Sequence, residues 1–373
     1  MMIGIPKETH PGEQRVAIIP ATVDRLVKKG AQIAIESGLG TTIGFSDENY
    51  IAAGAKIQTD RRTLLRTCDI ILRVRKPPLE EIKQFKKDCI HVSFLDPLNE
   101  KTLVEELAKN KISAVSMEMI PRTTRAQKMD ALSSQANLAG YVAVILAAER
   151  LNKIFPMMMT PAGTIIPTKV FIIGAGVAGL QAIATAKRLG ARIEAFDTRP
   201  VVEEQVKSLG AKFVKIDLGE TSQTKDGYAK ALSTEQLEKQ RQGMARVCAQ
   251  SDVVITTAQL FGRKAPIVLT KDMIAQMKSG SIIVDMAVES GGNVEGSKLN
   301  EEIITSNGAR ILGLGNLPSR VAFHASQMYS NNLCAFIEEF WDKEQKIFQL
   351  KLDDDIFKNA LVTYNGSIML KTT

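Results

Sequence analysis

The pattern of this chain predicts an α/β fold, built as two doubly wound, Rossmann-like domains joined by long helices. Three observations carry that expectation. Apolar, β-branched runs alternate with helical patterns along most of the sequence, the arrangement that builds parallel sheets. One stretch, Lys169 to Asp197, orders strand, glycine-rich turn, helix, strand and acid at the spacing of a βαβ unit. A length of 373 residues with 45% hydrophobic and 24% charged content suffices for two or three packed cores.

Taken in order, Met2–Ile5 reads as a strand, and residues 20–29 as a helix stopped by Gly30. Residues 32–36 form a strand and 47–53 a short helix. Three further strands are expected at 70–74, 91–94 and 114–117, separated by helices at 79–85 and 99–109. The segment from Pro121 to Gln135 is dense in hydrogen-bonding side chains. A long helical pattern follows from Asn137 to Lys153, with Ala139, Val142, Ala143, Leu146 and Ala147 on one stripe. Its length and small residues fit a helix that links the domains.

Beyond the glycine-rich unit, residues 213–216 are expected as a short strand. Residues 217–232 are polar and contain Gly227 and Tyr228, the composition of a surface excursion. Helices at 234–250 and 271–278 and strands at 252–256, 281–285 and 310–315 would complete a six-stranded sheet. A final helix at 326–340 returns toward the first domain. The expected boundaries are 1–136 plus 326–373 for a discontinuous N-terminal domain and 137–325 for the second, with a cofactor cleft between them.

The glycine-rich unit is where chemistry is most legible. Of Gly174-Ala175-Gly176-Val177-Ala178-Gly179, the first glycine permits a tight turn and the second lets a pyrophosphate approach the backbone. The third, Gly179, lets helix and strand pack closely. A diphosphate would meet the free N–H groups and the positive dipole at the helix N-terminus. Asp197 would accept hydrogen bonds from the adenosine ribose and repel a 2′-phosphate, which points to NAD(H) over NADP(H). Arg199 works against that preference, since an arginine there can serve a 2′-phosphate. Gln127 offers a donor and acceptors for a carboxamide or ribose, and Arg122 and Asp130 are placed to set each other's geometry. A bland alternative stands beside this: Asp130 caps a helix and Arg122 is solvated.

His10, His91 and His324 have no partner at metal-ligand or triad spacing, and no nucleophile elbow or P-loop is present. Any redox chemistry would therefore come from a bound cofactor. Cys68, Cys89, Cys248 and Cys334 are isolated, which fits neither a metal site nor a disulfide framework and suits a reducing compartment. The net charge of +7 is dispersed and aromatics are only 5%, so no nucleic-acid surface is expected. The N-terminus lacks a signal-peptide pattern, and no run is expected to reach the roughly 18 apolar residues of a membrane span.

Several of these segments resemble one family. The stretch Arg125 to Tyr141, the turn Gly174–Gly179, residues 196–200, 226–229 and 284–293, and the opening Ile3–Glu8 are similar to the NAD(H)-binding α subunit of proton-translocating NAD(P) transhydrogenase. The likeness runs over essentially the whole chain. It implies that Arg122, Gln127, Asp130 and Ser133 hold the nicotinamide and its ribose, with Thr123, Thr124 and Arg125 as further cofactor contacts. It also implies that Gly174, Ala175, Gly176, Val177 and Gly179, together with Asp197, Thr198 and Arg199, hold the remainder. Gly227 and Tyr228 match a mobile loop that closes over nucleotide.

The function implied is direct hydride transfer from NADH to NADP⁺ held on a partner, coupled to proton movement. The implied partners are a second copy in a homodimer, a membrane anchor subunit and an NADP(H)-binding β subunit. The implied location is cytoplasmic, peripheral on the inner membrane. Some relatives continue into membrane helices; the end at Thr373 fits the arrangement with separate subunits. Alanine dehydrogenase is the alternative, because Arg15 and Lys76 match its substrate-carboxylate residues. Against it, Leu95-Asp96-Pro97 stands where that enzyme carries a catalytic histidine, and Glu289 where it carries an aspartate. An NADH-binding module without turnover is a second alternative.

Overall fold

The computed structural model describes residues 1–219, 233–259 and 261–370. The expected excursion at 217–232, with Gly227 and Tyr228, falls outside the described residues beyond Gly219. The chain divides into two compact units, Met1–Gln135 with Ser319–Thr373, and Ala136–Pro318. The return to the first unit comes at Ser319, ahead of the expected Ser326. The reason is local: Ser319 Oγ accepts from Gln14 N at 2.8 Å and donates to the Gly12 carbonyl at 3.1 Å.

The first unit is an eight-stranded sheet in the order Ser367–Ile368, Leu361–Tyr364, Ser113–Ser116, Ile90–Ser93, Ile70–Leu72, Met2–Ile5, Gln32–Glu36, Lys56–Gln58. The six strands before the chain leaves this unit are parallel and lie in the doubly wound order 3-2-1-4-5-6. All but Lys56–Gln58 are buried on both faces along most of their length, so they read as largely apolar runs. Several elements escaped the sequence pattern, among them helix Arg61–Thr67 and strand Ser367–Ile368. Lys56–Gln58 is a short, largely polar edge strand, and Leu361–Tyr364 adds antiparallel to Ser113–Ser116. The C-terminal segment is held by packed rings: Phe340 and Phe357 lie 4.5 Å apart, with Phe336 and Phe348 around them. Such offset and edge contacts add to the burial of the rings themselves.

The second unit carries a seven-stranded sheet in the order Lys212–Phe213, Arg192–Phe196, Lys169–Ile173, Val253–Thr256, Ile282–Asp285, Arg310–Gly313, Glu301–Ile304. Six strands are parallel in the same doubly wound order. The seventh corrects the expected six: Glu301–Ile304 folds back antiparallel on Arg310–Gly313. Its residues are exposed or half-buried, so it lacks the apolar signal of a core strand. The expected strand at 213–216 shrinks to Lys212–Phe213.

The long helix is Ala131–Arg150, so Ser133 lies within its first turn rather than in a loop. By length and composition this helix is long and apolar enough to cross a membrane, contrary to expectation. Much of its apolar surface is protein core: Ala139, Val142, Ala143, Val144, Leu146 and Ala147 are buried. After it, Met158–Thr160 and Gly163–Ile165 form a two-stranded hairpin whose residues are all exposed.

Candidate functional site

Strand Lys169–Ile173 ends at Gly174, whose φ of +98° favours glycine. The Gly174 N–H donates to the Phe196 carbonyl at 2.8 Å, tying the turn to the neighbouring strand. A Cβ on Gly174 would lie 2.4 Å from Thr257 Oγ1, and one on Gly179 would lie 1.9 Å from the Gly174 carbonyl oxygen. Both glycines are demanded by the protein's own packing. Gly176 differs: its φ is −78°, and a Cβ there would meet no protein atom within 4 Å. The open space in front of Gly176, at the first turn of helix Val177–Arg188, suits a group from outside the chain. The first N–H groups of that helix have no intrahelical partner, and with the dipole they favour an anion. The residues present thus fit the diphosphate of a dinucleotide.

Asp197 follows strand Arg192–Phe196 and is nearly buried. Its Oδ2 accepts from Ala175 N at 2.7 Å, which locks the acid to the glycine-rich turn. Its Oδ1 accepts from Arg199 N at 2.8 Å and Arg199 Nε at 2.9 Å, and Arg199 Nη2 donates to Oδ2 at 2.7 Å. Thr198 lies between them. The structure therefore brings Gly174, Ala175, Gly176, Val177, Gly179, Asp197, Thr198 and Arg199 together in the second unit.

The supports beneath this turn carried no signal as isolated residues. Thr257 Oγ1 donates to the Gly174 carbonyl at 3.0 Å. Thr257 is set by Ala258, whose N–H donates to Asn293 Oδ1 at 2.9 Å and whose carbonyl accepts from Asn293 Nδ2 at 2.8 Å. Asn293 in turn donates its backbone N–H to the fully buried Asp285 carboxylate at 3.1 Å, beside Ala287 N at 3.0 Å. Gly292 has φ of +83°, and a Cβ there would sit 2.9 Å from Asp285 Oδ2. This explains the order Asp, Gly-Gly, Asn in the sequence.

The segment Arg122–Ser133 belongs to the first unit up to the start of the long helix. Ala126 and Met129 are buried and anchor it, while Arg122, Thr123, Thr124, Arg125 and Gln127 are exposed. Gln127 opens the short 3-10 helix Gln127–Met129. Asp130 takes the capping role: it accepts from Ser133 N at 2.8 Å and Ser133 Oγ at 2.6 Å. Arg125 pairs with Asp354 and lies 3.5 Å from Glu339. Asn332, on helix Ala322–Glu339, steadies the segment by donating to the Lys128 carbonyl at 2.8 Å and accepting from Ser134 Oγ at 2.7 Å.

In the first unit the strand order reverses between Met2–Ile5 and Ile70–Leu72, and a ligand crevice belongs beyond their carboxyl ends. The loops that follow these two strands are tied to each other there: Glu8 accepts from Val74 N at 2.6 Å. Glu13 and Arg15 form a bidentate pair at 2.8 and 2.6 Å, with side chains almost wholly buried. Arg15 Nη1 donates to Gln135 Oε1 at 2.8 Å, and Arg75 Nε reaches Glu13 Oε2 at 3.0 Å. Burial opposes ionisation of Glu13, but the hydrogen bonds and charge of Arg15 prevail and hold it down at about 2. Lys76 pairs with Glu100. His91 is fully buried, its Nε2 3.0 Å from Ser93 Oγ and its ring stacked on Phe85, and burial drives its pKa down to about 3. It is a core residue. Among the described residues no group of three or more His, Cys, Asp and Glu is arranged to hold a metal ion.

Two family descriptions match this chain: "Alanine dehydrogenase/PNT, N-terminal domain" over residues 4–139 and "Alanine dehydrogenase/PNT, C-terminal domain" over residues 143–371. The chain is 43% identical over 376 aligned residues to the first portion of NAD(P) transhydrogenase subunit alpha of Rhodospirillum rubrum, covering 99% of this chain and 98% of that one. It is 39% identical to "NAD(P) transhydrogenase subunit alpha" of Haemophilus influenzae, covering 98% of this chain and 71% of the relative. A transhydrogenase structure from Sinorhizobium meliloti superposes with a TM-score of 0.89 at 40% identity, covering 99% of this chain and all of the other. An L-alanine dehydrogenase structure shares the fold, with a TM-score of 0.80 at 24% identity and coverage of 99% and 96%.

Proposed function

From the premise that this chain belongs to the alanine dehydrogenase/PNT family through both its domains, we propose that it is the NAD(H)-binding component of a proton-translocating NAD(P) transhydrogenase. The observation that carries this reading is the glycine-rich turn, with open space before Gly176 and an acid locked to the turn at Asp197. When bound, NADH supplies the hydride. The chain's own residues bind and orient it. The first turn of helix Val177–Arg188 receives the diphosphate, and Asp197 accepts from the adenosine ribose. Gln127, with Arg122 and the Asp130–Ser133 pair, orients the nicotinamide end. No residue is required to move a proton in the transfer, so the contribution of the protein is positioning and exclusion of water.

The reading extends to partners. NADP(H) is held on a β subunit, a membrane anchor subunit couples transfer to proton movement, and the chain sits at the cytoplasmic face of the inner membrane through them. The exposed hairpin, with Met159 and, just after it, Ile166 each 78% exposed, supports a homodimer in which this apolar segment is covered.

The alanine dehydrogenase alternative is disfavoured by the crevice of the first unit. Arg15, which would bind a substrate carboxylate, is sealed by Glu13 and Gln135, and Lys76 is paired with Glu100. The deciding experiment is NADH oxidation by the purified chain under two conditions. Turnover only with an NADP⁺-loaded β-subunit domain supports the transhydrogenase component. Turnover with pyruvate and ammonium would establish the alternative. Tight NADH binding with no turnover in either would leave a binding module.

A further inference from the structure

We propose that Arg15 is a positioning residue for hydride transfer: through Gln135 it fixes the start of helix Ala131–Arg150, and with it the Asp130–Ser133 pair at the nicotinamide end. The proposal rests on the transhydrogenase reading and gives a role to a buried arginine which that reading leaves unused. Three nitrogens of the guanidinium are engaged. Nε and Nη2 donate to Glu13 at 2.8 and 2.6 Å, and Nη1 donates to Gln135 Oε1 at 2.8 Å. Gln135 Nε2 in turn donates to the Ala325 carbonyl at 3.0 Å. A guanidinium only donates and a carbonyl only accepts, so the Gln135 amide makes both contacts in one orientation alone. The side chains of Glu13 and Arg15 and the whole of Gln135 are buried, where an unmade hydrogen bond is costly.

The segment that carries Arg15 is itself held. Ser319 Oγ accepts from Gln14 N and donates to the Gly12 carbonyl, and Ser326 Oγ accepts from Val16 N at 2.9 Å. Arg75 Nε adds a second cation to Glu13 at 3.0 Å. At the other end, Gln135 lies two residues beyond Ser133 on the same helix, and all of these groups belong to the first unit. Asp130 and Ser133 are half-buried, and Arg122 and Gln127 are exposed, so their placement depends on what braces the helix from beneath. Ser134, tied to Asn332, and Gln135, tied to Arg15, brace adjacent positions of that start. A misplacement of about 1 Å can slow a reaction about a hundredfold. It need not weaken binding, because the diphosphate and adenosine contacts belong to the second unit.

Single-turnover transfer from NADH to NADP⁺ held on the β subunit, NADH titration and thermal melting test this on the full chain, for wild type, Gln135→Leu, Gln135→Glu and Arg15→Lys. Gln135→Leu is the primary variant, because it keeps the buried Glu13–Arg15 pair intact. It should fold and bind NADH as wild type does, yet transfer hydride roughly tenfold or more slowly. NADH deuterated at the transferred position should show a primary isotope effect in that variant, which marks the chemical step as the slow one. Gln135→Glu keeps an acceptor for Arg15 Nη1 and should recover part of the rate. Arg15→Lys keeps a charge for Glu13 but lacks the fork that spans Glu13 and Gln135, so it should be slow as well. A merely structural role would move melting and NADH affinity together with the rate. Unchanged transfer in the leucine and lysine variants, equal losses for leucine and glutamate, or NADH affinity falling in step with the rate overturns the proposal. Failure of all three variants to fold also overturns it, since the pair then holds the core and not the site. A wild-type chain that binds NADH but passes no hydride to the loaded β subunit overturns the transhydrogenase reading, and the proposal with it.

Discussion

Replacing Gly140 by alanine tests whether the site depends on the close approach of two helices. Gly140 lies on helix Ala131–Arg150, and a Cβ there would come 2.2 Å from the Ala178 carbonyl oxygen, in the first turn of helix Val177–Arg188. The obstacle is backbone, not the end of a flexible side chain, so relief requires the helices to separate by about 1 Å, to an ordinary contact. Alanine is better than glycine in a helix interior by about 1 kcal/mol. Overpacking against backbone costs about 1–3 kcal/mol, and at this distance the upper part of that range applies. The net expectation is a loss of about 1–2 kcal/mol, or a fall of roughly 2–8 °C in the melting temperature for a unit of this size. The displaced element is the helix start that receives the diphosphate, so NADH affinity should fall together with stability. Thermal denaturation and NADH titration of the same preparation measure both. A melting temperature equal to or above that of wild type, with unchanged NADH affinity, would refute the close-packing argument.

Three further expectations follow from named contacts. Asp285→Asn should destabilise the second unit by about 2–3 kcal/mol and weaken NADH binding, because the acceptor for Ala287 N and Asn293 N is compromised and Asn293 fixes the loop under Gly174; unchanged melting and unchanged titrations would remove Asp285 from the site. Glu13 has a folded pKa depressed from 4.5 to about 2, so it stabilises the fold above pH 4.5 and loses that contribution as pH falls toward 2, about 3 kcal/mol in all. In pH-dependent denaturation Glu13→Gln should flatten that limb, whatever its effect at neutral pH, while the limb from pH 6.5 down to about 3 that protonation of buried His91 produces should persist. Gln127→Asn should lower the rate of hydride transfer to a partner-bound NADP⁺ with little change in NADH affinity, since Gln127 is exposed and carries no part of the core; a large loss of affinity with normal turnover would assign it to binding instead.

The sequence by itself determined the α/β class, most of the parallel strands and the glycine-rich turn. Those features are written in local chemistry: apolar runs, glycine where φ is positive, and an acid after the second strand. Helix 234–250 has the bounds expected from the sequence, and in the structure Ser233 and Gln236 form a capping box at its start. Tertiary structure alone decided what has no local signature. Glu301–Ile304 is a strand only because Arg310–Gly313 lies alongside it. Gly140 is a glycine because of Ala178, and Gly292 because of Asp285, contacts between segments separated in sequence. The same holds for the two acids expected to serve the cofactor. Asp130 is engaged by the first turn of its own helix, and Asp197 by Arg199 and the glycine-rich turn. Which acceptor a carboxylate has left to offer depends on the donors that folding brings around it, and no pattern along the chain records that.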